Sequence, residues 1–241
     1  MKFGIIIAAV AALLPVPALA QQVPVTDCPL RDMPFSAASP LIDILLNPQA
    51  RAALETAFEA DFDTYPSIVS STTPPSFGAI LTVREAAGWG RLPPEVVGLA
   101  DVALREIPVS DADRVARCAR YDNDVPQFDI ADDRPAILLF EKINGFRDGP
   151  SVDAAHAALT AMATREGWQM VTTHSGGAIN AATLAQFDAI VWNNVSGDVL
   201  TLSQRQALRD FVEGGGGFVA VHGSAGDPVY FWDWYADTLI G

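Results

Sequence analysis

Polar residues that could perform chemistry follow three predicted strands in the second half of the chain. His222 could act as an acid, a base or a ligand near neutral pH, or could simply hydrogen-bond a neighbouring loop. Arg147 could bind two hydroxyls or a carboxylate, the alternative being an ion pair with Asp148 or Glu141. The candidates are Glu141, Lys142, Asn144, Gly145, Phe146, Arg147 and Asp148 after the first strand, Asn193, Asn194, Ser196, Gly197 and Asp198 after the third, and His222, Gly223, Ser224, Ala225, Gly226 and Asp227 after the fourth.

An aromatic group near the end of the chain could bind the apolar face of a sugar ring. It comprises Tyr230, Phe231, Trp232, Trp234 and Tyr235. The hydroxyls of such a ligand need Asn, Asp or Arg, which the strand ends supply. The alternative is that these rings only pack a helix against the sheet.

Four other kinds of site are disfavoured. The glycine run at 214–217 precedes a strand, which fits a helix end and a turn better than a phosphate loop. A nucleophile at Ser224 would need glycine where the chain has His222, and the absence of cysteine after residue 118 excludes the thiol of a glutamine amidotransferase. His156, His174 and His222 lack metal-ligand spacing, and His156 is expected to be half-exposed on a helix. We therefore expect no metal and no cofactor.

The elements that must position these residues alternate between strand and helix. Strands are predicted at 136–140, 168–173, 188–192 and 218–222, and helices at 151–166, 181–187 and 204–213, the last two capped by Asn180 and Ser203. The continuous apolar run at 136–140 is typical of a parallel strand covered on both faces. The alternation predicts an α/β fold with a right-handed, doubly wound parallel sheet, whose strand ends gather the ligand site.

Residues 21–133 are predicted to form a small all-helical region before the α/β region at 134–241. Helix starts are indicated at Asn47, at the proline pairs 74–75 and 93–94, and at Ser110 with its capping box. The region has no histidine, and we expect its acidic residues on solvent faces. Residues 122–126 are interpreted as a polar linker.

The first 20 residues are typical of a secretory signal peptide. Lys2 supplies the positive charge, and the apolar run 3–14 is shorter than the roughly 20 residues that a membrane span needs. Pro15 and Pro17 interrupt it further. We expect cleavage near Ala20, a periplasmic or secreted product and no stable membrane anchor.

Export would permit a disulfide between Cys28 and Cys118, because oxidising compartments preserve such bonds. The bridge would close a loop of 118 − 28 = 90 residues and stabilise the fold by up to ~4 to 5 kcal/mol on the chain-entropy model. Two unpaired buried thiols are the alternative, and the export signal favours the bridge.

Composition limits the class of partner. The chain has 241 residues, with 29 acidic against 15 basic side chains and a formal charge of −14. Such a balance disfavours nucleic-acid binding, which needs clustered cations, but suits a neutral small carbohydrate. With 50% hydrophobic residues the chain is also too apolar to be disordered.

Several motifs in order over the second half resemble the ThuA-like (trehalose utilisation) family. They are Ile137–Lys142 with Asn144–Arg147, Phe187–Trp192, Gly197–Leu200, Gly215–Gly223 and Trp232–Tyr235. The resemblance implies a class I glutamine-amidotransferase-like, flavodoxin-like fold and a role in carbohydrate catabolism. It also implies that the Gly-Phe-Arg at 145–147 and the histidine at 222 face the site.

The chain departs from the family pattern in two places. Asp148 stands where the family usually has a histidine, which weakens the case for an acid, base or ligand in that loop. The sequence also stops at Gly241, about halfway through a ThuA-like domain, so that we expect an incomplete domain from a fragment, a degenerate domain being the alternative.

These observations lead to the hypothesis of an exported ThuA-like protein that binds or transforms a sugar or modified glycoside. His222 would be the catalytic acid, base or ligand. The residues expected to bind the substrate are Asn144, Gly145, Phe146, Arg147, Asn193, Asn194, Asp198, Trp234 and Tyr235. A non-catalytic carbohydrate-binding or scaffolding protein is the alternative, which Asp148 favours. The reaction and the oligomeric state stay open.

Overall fold

The first part of the protein is helical, as predicted. A computed structural model describes residues 24–225 and 232–241, so the predicted signal peptide and the residues at 226–231 lie outside the described residues. Between residue 24 and the sheet the structure has six α-helices: α1 (Leu41–Leu46), α2 (Pro48–Phe58), α3 (Ser67–Ser70), α4 (Val83–Trp89), α5 (Pro94–Arg105) and α6 (Asp111–Cys118). None of the described helices is both long and apolar enough to cross a bilayer.

Local capping explains where these helices begin. The Oδ1 atom of Asn47 accepts hydrogen bonds from the backbone N–H groups of Gln49 and Ala50, both at 2.9 Å. Ser110 and Asp113 form the predicted capping box at the start of α6. The helix start predicted at the proline pair 74–75 is wrong: only a short 3₁₀ turn, Phe77–Ala79, follows it before α4. There the backbone N–H of Ser76 hydrogen-bonds the oxygen of Asn144 in the α/β region.

The helical region has its own apolar core, in which α2 packs against α1 and α5. Fully buried members of this core are Phe35, Leu41, Ile44, Leu54 and Leu104. Each such side chain contributes about 1.5–3 kcal/mol by leaving water. The helices therefore form a folded unit with a core of its own.

Two acidic residues of this region, Asp43 and Asp113, are buried, contrary to the expectation that its acids lie on solvent faces. Asp43 is 2% exposed, and its carboxylate lies 2.7 Å from the Nη1 atom of Arg120 and 3.7 Å from the Nε atom of Arg117. The guanidinium of Arg117 also donates to the backbone oxygens of Leu30 and Met33. A charge at this depth is tolerated because ion pairs and hydrogen bonds compensate it.

The second part is a four-stranded, all-parallel sheet, which confirms the predicted α/β fold class. Its strands are β1 (Ala136–Phe140), β2 (Gln169–Thr173), β3 (Ala189–Asn193) and β4 (Gly217–Val221), in the order β2-β1-β3-β4. In the register, Leu138 pairs with Val171 of β2 and with Ile190 of β3. The carboxyl ends of β1 and β3 therefore lie side by side at the centre of the sheet.

The connecting helices are α7 (Gly149–Glu166), α8 (Ala181–Leu184) and α9 (Leu202–Glu213). The predicted cap of α9 was wrong: Thr201 caps this helix through a capping box with Gln204, and Ser203 lies inside the first turn. Asn180 caps α8 as predicted, at 2.9 Å from the N–H of Thr183. The fourth strand ends one residue before His222, which lies in a 3₁₀ turn with φ 53°.

Trp192 is the centre of the sheet's apolar core. Its ring lies 4.9 Å from the ring of Tyr235, stacked at 22°, and contacts Phe140 and Phe218. Tyr235 belongs to a final π-helical segment, Trp234–Ile240, and its hydroxyl donates to the backbone oxygen of Ser224. The aromatic segment therefore packs against the sheet.

The amino-terminal end of the described chain contacts both regions. Cys28 forms a disulfide with Cys118 of α6, with the two Cα atoms 5.3 Å apart. The neighbouring Asp27 accepts a hydrogen bond of 2.6 Å from the hydroxyl of Ser203 in α9. This segment thus links the helical region to the α/β region.

Candidate functional site

A cleft of about 800 Å³ lies at the carboxyl end of β1, between the helical region and α7. Its lining residues are Pro74, Pro75, Ala119, Arg120, Glu141, Lys142, Ile143, Asn144, Arg147, Val152, Asp153, His156 and His174. The position agrees with the expectation that strand ends gather the site. The helical region supplies one wall, which the sequence did not indicate.

Glu141 and His156 form an oriented pair in this cleft. The carboxylate of Glu141 is buried, and both of its oxygens lie 3.1 Å from the Nδ1 atom of His156. An ionised carboxylate only accepts hydrogen bonds, so opposite such a group a neutral imidazole would hold its proton on Nδ1 and keep the lone pair on Nε2. The arrangement suits proton transfer, because a carboxylate that holds an imidazole fixes both its tautomer and its direction.

A line of buried side chains connects this pair to His222. Asn193, fully buried at the end of β3, donates from Nδ2 to Glu141 at 2.6 Å. Its own oxygen accepts from Nδ2 of Asn194 at 2.8 Å, and the oxygen of Asn194 lies 2.6 Å from Nδ1 of His222. Asn194 and His222 both have positive φ, 54° and 53°, in the left-handed region that Asn and His enter more readily than most residues. The two histidines therefore lie at opposite ends of one hydrogen-bonded network.

Lys142, which lines the cleft, forms an ion pair with Asp122. Asp122 also accepts from the hydroxyl of Ser175 at 2.7 Å and from the N–H of Gly177 at 3.1 Å. Burial alone would raise the pKa of Asp122, but these hydrogen bonds and the charge of Lys142 outweigh it and hold the pKa below its ordinary value. The predicted polar linker at 122–126 thus begins with a residue that is anchored to the sheet.

Arg147 lies at the rim of the cleft and is accessible. Its side chain is 48% exposed, and its Nη2 atom lies 3.1 Å from the carboxylate of Asp153 on α7. Neither Asp148 nor Glu141 is its partner, so the alternative considered from the sequence was wrong. Asp148 instead accepts a hydrogen bond of 2.6 Å from Ser151 at the start of α7.

The loop that carries Arg147 is fixed by its neighbours. The N–H groups of Asn144 and Gly145 both donate to the oxygen of Ser196 at 2.9 Å. A Cβ atom at Gly145 would lie 2.2 Å from Ile80 and 2.5 Å from the hydroxyl of Ser196, so only glycine fits. Asn144 is buried and donates to the backbone oxygen of Asp198 at 2.7 Å. Asn144 and Gly145 hold the loop in place.

The structure does not bring all the predicted ligand-binding residues to the cleft. Asp198 is buried against Arg205 at 2.5 Å, and Tyr235, 1% exposed, packs in the core. Trp234 donates from its indole nitrogen to Glu213 at the end of α9. His222 is exposed at the end of β4 and is not part of the cleft lining. For Tyr235 the packing alternative therefore describes the structure.

The prediction from sequence missed His156 as a site residue and gave Glu141 only as a strand-end candidate. A charged residue directly after a buried strand needs a partner, and that signal was available at Glu141. The spacing of four between Val152 and His156 places both on one helix face, and Val152 is buried. Together, these two observations would have predicted that the side chain of His156 lies near the end of β1.

Ser224 links neighbouring segments of the α/β region through its side chain. The hydroxyl of Ser224 is buried, accepts from the N–H of Val195 at 2.8 Å and donates to the oxygen of Trp192 at 3.1 Å. It is a structural link and not an accessible nucleophile. Within the described residues, no cluster of three or more His, Cys, Asp or Glu side chains could hold a metal ion.

Comparison with known proteins finds a similarity for the α/β region. Residues 136–241 match the family model of ThuA, described as trehalose utilisation. A solved structure of a ThuA-like protein from Bacteroides uniformis is 19% identical, with a TM-score of 0.37, and the match covers 47% of this chain and 47% of that one. The chain thus spans about half the length of the solved structure that it matches. None of the curated proteins matches significantly. The resemblance predicted from the motifs is confirmed over 136–241.

Proposed function

Because residues 136–241 are ThuA-like, we propose that the cleft at the end of β1 binds a sugar or modified glycoside in a role related to trehalose utilisation. The observation that carries the proposal is that the Glu141–His156 pair and the exposed Arg147 line a single cleft at the end of this ThuA-like strand. Arg147 would hold hydroxyls through its guanidinium, and Pro75 and Val152 would contact the apolar side of the ring.

We assign the proton-transfer role to His156, with Glu141 as its positioning residue. Nε2 of His156 would remove a proton from a substrate hydroxyl or an activated carbon and return it later in the reaction. Glu141 would stabilise the imidazolium that forms in between. The amides of Asn193 and Asn194 would hold Glu141 in place, since one of them donates to its oxygen at 2.6 Å.

Calorimetry with trehalose, other disaccharides and their keto derivatives tests the binding. Charge-assisted hydrogen bonds contribute about 1.5–3 kcal/mol, so Arg147→Ala should weaken binding at least about tenfold. Arg165→Ala is the matched control, because Arg165 is an exposed arginine near the end of α7, outside the cleft, and this variant should bind like the wild type. Equal binding by the Arg147→Ala and Arg165→Ala variants would contradict the proposal.

A non-catalytic carbohydrate-binding protein is the second candidate. The observation that favours it is that Asp148, at the position of the family's usual histidine, is engaged by Ser151 at 2.6 Å. Turnover distinguishes the two: His156→Ala and Glu141→Gln should abolish product formation while sugar binding changes less than tenfold. Binding of glycosides without any turnover by the wild type would establish the second candidate.

We also propose export. The pattern of residues 1–20 supports it, and the pairing of Cys28 with Cys118 suits an oxidising compartment. Expression in a bacterial host followed by fractionation should place the protein in the periplasm or the medium, with Gln21 as its first residue. Recovery of an uncleaved product in the cytosol would contradict this proposal.

A further inference from the structure

Three aromatic side chains form a continuous strip beside the cleft. The rings of Phe146 and Phe77 are stacked, with centroids 5.1 Å apart and planes at 6°. Trp89, at the end of α4, lies edge-on to Phe77 at 5.6 Å. Phe146 is 40% exposed and Trp89 is 63% exposed, so both ends of the strip face solvent. Phe77 and Trp89 come from the helical region and Phe146 from the α/β region.

The strip continues directly from the cleft. Phe146 stands in the chain between Asn144 and Arg147, and both of these residues line the cleft. On the opposite side, Phe77 follows the cleft-lining Pro75 by two residues. The N–H of Ser76 donates to the oxygen of Asn144 at 3.0 Å, which joins the two loops next to the stacked rings. A ligand that extends out of the cleft between these loops would meet the strip first.

The strip is held in a fixed geometry. The N–H of Phe146 donates to the hydroxyl of Ser196 at 3.1 Å, and the close contact of Gly145 with Ile80 leaves that loop little freedom. The hydroxyl of Ser76 accepts from the N–H of Gly78 at 3.1 Å, which fixes the turn that carries Phe77. A preformed aromatic surface binds a ring without a large ordering cost.

We infer that Phe146, Phe77 and Trp89 form a second subsite, which binds the apolar face of a ring attached to the sugar held in the cleft. This inference rests on the proposed function and specifies the substrate class as a glycoside of at least two rings. A pyranose has an apolar C–H face and an aryl aglycone has two apolar faces, and either can stack on exposed aromatic side chains. The three side chains carry no charge, so the subsite selects for ring shape and apolar surface.

The experiment compares matched ligands by calorimetry. Phenyl and methyl α-D-glucoside differ only in the second ring, and trehalose supplies a pyranose in its place. We expect phenyl glucoside or trehalose to bind about three- to tenfold more tightly than methyl glucoside to the wild type. Whichever of these two ligands shows the larger gain in affinity over methyl glucoside identifies the type of ring that the subsite prefers. Trp89→Ala and Phe146→Ala should each reduce that gain to less than twofold.

Two controls separate the subsite from general effects. Leu99→Ala removes an exposed apolar side chain of α5 outside the strip, and this variant should keep the full gain in affinity that the second ring gives. Trp89→Phe retains an aromatic ring and should keep most of it. If methyl glucoside binds and neither second ring adds affinity, or if the gain survives Trp89→Ala and Phe146→Ala together, the inference is overturned and the proposed function stands. If no glycoside binds, both fail.

Discussion

Glu141 contacts side chains from two different elements, and this is what makes it the central residue of the candidate site. Its buried carboxylate lies next to His156 of α7 and to Asn193 of β3. An ionised carboxylate at this depth needs such partners, because desolvation without hydrogen bonds is costly. The same contacts orient His156 towards the cleft. The contacts that stabilise the buried carboxylate of Glu141 are therefore the same ones that orient the candidate proton-transfer residue.

At the residue scale, the close packing of Gly145 predicts how its substitution changes stability. Gly145→Ala would place a methyl group 2.2 Å from Ile80 and 2.5 Å from Ser196, and we expect a loss of about 1–3 kcal/mol in the free energy of unfolding. Gly98→Ala is the matched control: no atom lies within 4 Å of its Cβ position in α5, so it should stabilise by about 0.5–1 kcal/mol. Chemical denaturation of both variants gives the two values. Equal effects would show that the 144–147 loop is not tightly packed.

At the scale of elements, the segment after α6 connects the two regions by contacts and not only by the chain. Asp122 binds Lys142 after β1 and Ser175 after β2. Gly177 packs so closely on this segment that a Cβ atom there would lie 2.3 Å from the oxygen of Asp124. The residues that were interpreted as a linker therefore fix the helical region against the carboxyl end of the sheet.

Asp122 should make stability depend on pH in a defined direction. Since the pKa of Asp122 is lowered in the folded protein, its contribution is present above the unfolded-state pKa of about 3.9 and is lost as pH falls through the folded-state value. Asp122→Asn should lower the free energy of unfolding by about 1.5–3 kcal/mol at pH 7, and by progressively less below about pH 4. Urea unfolding across pH measures this. The exposed Asp132→Asn serves as the control, and a deficit independent of pH would contradict the argument.

On the scale of the whole molecule, the helical region completes the site. It supplies Pro74, Pro75 and Arg120 to the cleft and Phe77 and Trp89 to the aromatic strip. The buried ion pair with Asp43 holds the cleft-lining Arg120, and the segment that carries Cys28 and Asp27 connects the helical region to α9. A protein reduced to its α/β region would keep Glu141 and His156 but would lose one wall of the cleft.

The disulfide should contribute strongly to global stability. Cys28→Ser with Cys118→Ser removes a link across 90 residues, and the free energy of unfolding should fall by up to about 4–5 kcal/mol. Denaturant unfolding with and without a reductant measures the loss. The reductant should affect the wild type and leave the double variant unchanged, and an unchanged wild-type midpoint would count against a stabilising bridge. Val115→Ala, an exposed position on the same helix as Cys118, should change stability by less than about 0.5 kcal/mol.

The sequence by itself determined the elements and the fold class. The apolar run of β1, the caps at Asn47, Ser110 and Asn180, and the glycines that end α9 act within a few residues of chain, so their physical effect is local. The order of motifs was enough to indicate the ThuA-like resemblance. The boundaries moved by a few residues, as at Thr201, because two neighbouring hydroxyl residues could cap the same helix.

Only the tertiary structure decided which polar residues meet. Glu141 is 15 residues from His156 and 52 from Asn193, and the contacts between them depend on the register of β1 with β3 and on the way α7 crosses the sheet. The helical wall of the cleft depends in the same way on the buried Asp43. Which side chains pair depends on topology and burial, and these depend on contacts between residues far apart in the chain. Strand and helix formation depends mainly on neighbouring residues. For this reason the sequence singled out His222, whereas the cleft at the end of β1 is lined by His156.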